Sequence, residues 1–202
     1  MNSTDLDFYG NYAPLLNTLQ ARLNAEIDAV LTQLAQQLGH SPAEHILSRI
    51  KSADSLRAKL KKQGYSQDAK TGLTVLSDVV GARIVTHFIG DVYTILARLE
   101  QSEQWQVAQI KDYIASPKPN GYRSLHLILR LPVEHPDFSC VAVEIQLRTI
   151  AMDCWASLEH QMKYKKDIPN AQLITQELKR CADEIASTDL TMQTIREMIE
   201  SQ

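Results

Sequence analysis

Residues 140–149, CVAVEIQLRT, constrain this chain more than any other stretch. Val141, Val143, Ile145 and Leu147 alternate with polar positions, and a period of two sorts side chains onto opposite faces only in a β-strand. The odd positions must lie on a core. The even positions put a carboxylate, an amide and a guanidinium in a row, at Glu144, Gln146 and Arg148. A second strand repeats the division: Leu125, Leu127, Leu129 and Leu131 share one face, while Ser124, His126 and Arg130 fall on the other. Pro119-Asn120-Gly121 before it is turn chemistry. A solvated sheet face is the ordinary reading of one such strand. Two of them, with Lys111, Lys118 and Tyr122 in the preceding loop, point to a polar binding site.

The rest of the chain supplies what such strands need. Leu15, Leu19, Leu23, Ile27, Leu31 and Leu34 form a helical stripe over 12–38, ended by Gly39. Ser41-Pro42-Ala43-Glu44 has the form of a capping box and predicts a short second helix. A basic helix is expected from Ala53 to Gln63 with Ser52 or Asp54 as cap. DVVGARIVTHF reads as a strand, Gly90-Asp91 as the opening of a helix, and WQVAQI as another strand. A helix is expected from about 151 to 164, its Trp155, Leu158 and Met162 read as core. A mostly polar helix covers roughly 170–199. The first eleven residues and the last few are the least core-like. Strands and helices at this spacing predict an α+β fold, a mixed β-sheet flanked by helices.

Composition narrows the function. With 202 residues, 44% of them hydrophobic, the chain can bury a proper core, and a net charge of −3 argues against nucleic-acid binding by bulk charge. Three scattered cysteines without a CxxC read as free thiols of a reducing, cytoplasmic compartment. No signal peptide and no apolar run of the ~20 residues that cross a bilayer is seen. There is no GxxxxGK[ST] and no GxGxxG, so a bound nucleotide would have to be held by side chains. The six histidines show no zinc-like spacing.

Two constellations remain. Asp78, heading the DVVGARIV strand, and Glu144, on another, form a natural pair for Mg²⁺, which takes one or two carboxylates together with phosphates and water. The plainer reading of Asp78 is a turn or cap. Arg49, Lys51, Arg57, Lys59, Lys61 and Lys62 crowd one segment against a single acid, Asp54. A solvated helix face accounts for Lys61 and Lys62, but many phosphates need many cations.

Taken together, SRIKSADSLRAKL, DVVGARIV, KDYIASPKPNGYRSLHL, VEIQLRT and MDCWASLEHQMKYK resemble, in order, the synthetase domain of the RelA/SpoT superfamily. The last motif is similar to that of the small alarmone synthetases. The resemblance covers about 41–166, leaving an N-terminal helical extension (1–40) and a C-terminal helix (167–202). It implies a nucleotidyltransferase-like sheet and a Mg²⁺-dependent pyrophosphokinase of the stringent response, moving the β,γ-pyrophosphoryl group of ATP to the 3′-hydroxyl of GDP or GTP and releasing AMP. It assigns Asp78 and Glu144 to the metal and Glu144 to the attacking hydroxyl. Arg49, Lys51, Ser55, Arg57, Lys59 and Arg83 go to ATP. Tyr122 is assigned to stack on guanine, with Lys111, Lys118, Asn120, His126, Gln146 and Ala156 around the acceptor. A homo-oligomer, up to a homotetramer, is implied as well. Two other readings stand beside it. One is a toxic relative acting on the 3′ end of tRNA, with Lys61, Lys62, Lys163, Lys165 and Lys166 as its basic track. The other is a catalytically silent nucleotide-binding module.

Overall fold

The computed structural model describes residues 2–163 and 170–201. Its centre is a five-stranded sheet in the order β1-β2-β5-β4-β3. The strands are β1 (Ala43–Ile50), β2 (Val80–Thr86), β3 (Gln106–Asp112), β4 (Leu125–His135) and β5 (Phe138–Thr149). β2 and β5 run parallel, and every other neighbouring pair is antiparallel. The helices are α1 (Ser3–Tyr9), α2 (Ala13–Leu38), α3 (Ala53–Lys62), α4 (Ala69–Val75), α5 (Ile89–Leu99), α6 (Ile150–Lys163) and α7 (Ala171–Glu200). The α+β class and the mixed sheet are as the patterning predicts.

One face of the sheet carries the core. Leu16, Leu19, Leu23 and Ile27 of α2 are fully buried with Val92, Ile95 and Leu99 of α5, in one cluster with the odd positions of β4 and β5. The i, i+3/i+4 recurrence of leucine makes α2 a one-sided wedge against that face. Gly39, in the left-handed conformation at φ 76°, stops it, its N–H bonding to the Ala35 carbonyl.

Three expectations are corrected. The capping-box segment is not helical: 43–50 forms β1, an edge strand paired with β2. Ser41 spends its hydroxyl on the backbone of Ala43. A free edge of β2 offered a full ladder, and alternating Ile46, Ser48 and Ile50 suit half-buried pairing better than a helix face. The first eleven residues are not peripheral. Asn2 and Asp5 form a genuine capping box for α1, Asp5 accepts the Ala53 N–H at 2.8 Å, and the buried Tyr9 hydroxyl donates to the Lys51 carbonyl at 2.6 Å. The Trp155 stripe is only partly core, since Leu158 and Met162 are exposed. α4, which no pattern in the sequence announces, is capped by Asp68 accepting from the Thr71 N–H. Ser52 caps α3 as expected. Residues 164–169, including Lys165 and Lys166, lie outside the described residues, as does the side chain of Lys163.

Because Tyr9 ties the N-terminal helix to the segment between β1 and α3, Tyr9→Phe is expected to lower unfolding free energy by about 1 kcal/mol. A urea titration reads this as a lower midpoint at unchanged slope. An unchanged midpoint would mean the bond adds nothing to folding.

Candidate active site

Strand alternation puts the polar side chains of β2, β4 and β5 on the face opposite the core, and register sorts them into rows. In one row Arg49 of β1 stands opposite Gly81, which pairs with Glu144. In the next, Leu47, Arg83, Gln146, His126 and Lys111 follow one another across all five strands. Gly81 sits where a Cβ would come within 3.2 Å of the Glu144 carbonyl oxygen, tighter than an ordinary contact.

A cavity of about 200 Å³ on this face is lined by Arg49, Asp78, Gly81, Arg83, Glu144 and Gln146. Asp78 Oδ2 accepts from Lys51 Nζ and Lys59 Nζ, both at 2.8 Å. Burial pushes this carboxyl up, but the two ammonium groups outweigh it and hold the carboxyl below its ordinary range. Glu144 accepts from His126 Nδ1 at 3.0 Å on one oxygen and from Gln146 Nε2 at 2.7 Å on the other. Burial again pushes upward, and the His126 and Gln146 contacts bring the carboxyl below its usual value. His126 bridges two neighbours: Nδ1 faces Glu144, and Nε2 lies 2.8 Å from the Tyr122 hydroxyl.

A second cavity of about 350 Å³ shares Arg49, Arg83 and Gln146 with the first and adds Tyr122, Arg148, Ala156 and Glu159. The Lys118 ammonium stands 4.5 Å from the Tyr113 ring centroid and 4.7 Å from that of Tyr122. Burial lowers the Lys118 pKa from its ordinary value. Asn120 donates to Glu159 at 3.0 Å, bridging the loop to α6.

The structure therefore gathers Arg49, Lys51, Lys59, Asp78, Arg83, Lys111, Lys118, Asn120, Tyr122, His126, Glu144, Gln146 and Ala156 around two adjoining hollows. Two members of the expected ATP set are engaged elsewhere. Ser55 accepts from the Ser52 hydroxyl in the α3 cap, and the Arg57 guanidinium lies 4.4 Å over the Phe8 ring. Arg148, on the polar face from the start, is joined around the same site by two residues that the sequence does not mark, Asp153 and Tyr113. Asp153 accepts from Arg83 and Arg148, each at 3.0 Å, and Arg148 also donates to the Tyr122 hydroxyl at 2.7 Å and to Gln146 at 3.0 Å. Tyr113 meets His126 edge-to-face at 5.3 Å. The even-position alternation that singled out Glu144 and Gln146 extends to Arg148. Nothing in the sequence marks Asp153 as its partner. Larger open hollows occur elsewhere, a groove of about 630 Å³ beside α2 and one of about 710 Å³ beside α7. The former's Arg22 is spent on the Pro132 carbonyl, and the latter's walls include Phe88, Ile150, Ile185 and Met192.

The donors suit a small hard cation. Two carboxylates line one cavity, and the buried Asp78 Oδ1 has no hydrogen-bond partner among the described residues. Among those residues no cluster of three or more His, Cys, Asp or Glu could make an all-protein cage. Two carboxylates, with the remaining positions left to phosphate and water, fit such a cation.

Comparison with known proteins identifies the family. Residues 48–169 match the family described as a region found in RelA / SpoT proteins. The chain is 45% identical over 146 residues to GTP pyrophosphokinase YwaC of Bacillus subtilis, covering 72% of this chain and 70% of that one. It superposes on the crystal structure of small alarmone synthetase 1 from Bacillus subtilis bound to its product pppGpp with a TM-score of 0.84. The two are 28% identical over 96% of this chain and 99% of that one. Small alarmone synthetase 2 from the same organism gives 0.79 at 38% identity, covering 93% and 98%.

His126 holds the Glu144 carboxyl down, so His126→Ala leaves burial to dominate and should move its titration upward. A side-chain carboxyl ¹³C NMR titration reads this directly. A depressed carboxyl stabilises the fold above its unfolded-state value of about 4.3, and that stability is lost as pH falls through the folded value. With burial dominant the variant's carboxyl lies above the unfolded value instead, so this contribution is absent at neutral pH and the variant is less acid-sensitive there than the parent. An unmoved titration would mean the imidazole does not set the charge of Glu144.

Proposed function

Because the chain belongs to the RelA/SpoT family, we propose that it is a small alarmone synthetase, a GTP pyrophosphokinase that transfers the β,γ-pyrophosphoryl group of ATP to the 3′-hydroxyl of GDP or GTP and releases AMP. The observation that carries this reading is the pair Asp78 and Glu144 lining one cavity, with Tyr122 in the cavity adjoining it.

The chemistry follows from the side chains. Glu144, kept ionised by His126 and Gln146, takes the proton from the attacking 3′-hydroxyl. His126 and Gln146 each bind a different Glu144 oxygen, so the base is held in one orientation. Lys51 and Lys59 stand at Asp78 and move their charge onto the ATP phosphates. Arg49 offers a planar guanidinium for stacking on adenine, and Arg83 a further phosphate cation. Ser55 and Arg57, engaged in the α3 cap and over the Phe8 ring, would reach ATP only by leaving those contacts. Tyr122 stacks on guanine. Its ring face carries the Lys118 ammonium, so an entering base displaces Lys118 toward the acceptor phosphates. Lys111, Asn120 and Ala156 line the same side. Mg²⁺, held by Asp78 and Glu144, would neutralise charge on the transferred phosphates.

The same reading includes a homo-oligomer, up to a homotetramer: α7 leaves Leu190, Met192, Ile195, Met198 and Ile199 exposed near its end, a face that a second copy would cover. Light scattering behind size exclusion measures it. No helix among the described residues is long and apolar enough to cross a membrane, and three exposed free cysteines support a cytoplasmic site.

With Mg²⁺ and γ-labelled ATP, label should pass to GDP or GTP with AMP released. Label passing only to deacylated tRNA would make the chain a tRNA-modifying relative, and no transfer would support a silent module. Glu144→Gln should lower turnover by about 10²–10⁴-fold while calorimetry still records nucleotide binding. Near-normal turnover would remove Glu144 from the role of base.

A further inference from the structure

We propose that α7 is part of the acceptor site: its segment from Leu178 to Asp183 clamps the loop on either side of Tyr122, and Arg123 and Ala182 are positioning residues for the guanine nucleotide. The inference rests on the reading of Tyr122 as the acceptor-stacking residue.

The clamp has three contacts. Gly121, at φ 88°, lies so close to α7 that a Cβ on it would fall 2.5 Å from Ala182 Cβ and 3.2 Å from Lys179 Cα. Backbone thus meets helix directly, which needs glycine on one side and a small residue on the other. On the far side of Tyr122, Arg123 donates to the Ala182 carbonyl at 3.3 Å and to Asp183 at 3.1 Å, and back to the Gly121 carbonyl at 3.2 Å. Between these anchors the Tyr122 ring packs on a second hydrophobic cluster made by Trp155 and Ala156 of α6 with Leu178 and Ala182 of α7. α7 is itself fixed to α6, for Trp155 Nε1 donates to the Leu178 carbonyl at 3.0 Å. The buried Asp189 accepts from Thr149 at 2.6 Å, and Thr149 in turn accepts the Met152 N–H in the first turn of α6.

A ring held at both flanking residues and from behind presents one face in one place, and stacking affinity depends on that placement. Most of the ATP side stands apart; only Arg83, through Asp153 of α6, reaches the elements behind the clamp. Arg49, Lys51 and Lys59 come from β1, α3 and the segment joining them, and the clamp includes no contact from them. Damage to α7 should therefore fall on one substrate.

The test uses the full chain with Arg123→Ala, Arg123→Lys and Ala182→Leu. Arg123→Ala should raise the Kd and KM for GDP roughly tenfold, and Ala182→Leu by roughly 10- to 100-fold, with the KM for ATP within about twofold of the parent. Arg123→Lys, which keeps a donor for Asp183, should recover part of the loss. Equal loss for both substrates, or no change in either, overturns the proposal. Hydrogen exchange separates it from the reading on which it rests. Should the parent bind no guanine nucleotide, the assignment of Tyr122 fails. Residues 118–124 should still exchange faster in Arg123→Ala, and unchanged exchange there overturns the clamp itself.

Discussion

The parallel pairing of β2 with β5 is the constraint on which the site depends. It sets Gly81 beside Glu144 and Arg83 beside Gln146. A parallel pair requires a long crossover, and the chain uses it to thread α5, β3 and β4 before returning as β5 at the sheet centre. β4 then pairs antiparallel to β5 and brings His126 opposite Gln146. A slip of one residue in either ladder would turn Glu144 away from Asp78 or drive Leu147 and Ile145 out of the core. The core face therefore enforces the register, and the register assembles the chemistry.

Charge is handled the same way throughout the polar face. Three of its carboxylates have two donors each: Lys51 and Lys59 for Asp78, His126 and Gln146 for Glu144, Arg83 and Arg148 for Asp153. Burying a charge without partners costs several kcal/mol, so this pairing is what lets a sheet face hold so many ionised groups. It also leaves cations close to where phosphates would lie. The two lysines at Asp78 satisfy a carboxylate in the fold and, in the proposed reaction, serve a substrate.

Much of the fold was legible because its patterns are strong and local. The leucine stripe of α2, the Ser52 cap of α3, and the alternation in β4 and β5 each express one physical rule over many residues. The site was legible to the same extent: Glu144, Gln146, His126 and Tyr122 stood out as polar or aromatic residues where plain strand and loop chemistry did not need them. β1 was not legible, since Ser-Pro-Ala-Glu is a good helix start when alone and becomes a strand only beside the free edge of β2. α1 was not legible because its anchors, Asp5 to Ala53 and Tyr9 to Lys51, span more than forty positions. Asp153 was hidden for the same reason, its meaning lying in Arg83, seventy residues earlier.

By itself the sequence determined that this chain makes amphipathic strands with one chemically dense face, that one-sided helices are there to cover the other, and that any nucleotide would be held by side chains. Those properties depend on periodicity and composition, which the chain carries at every length scale. Only the tertiary structure decided which strands are neighbours, how their rows align, and that the last helix stands behind Tyr122. Those are choices among pairings that are locally equivalent, and they are settled by burial of the whole core at once.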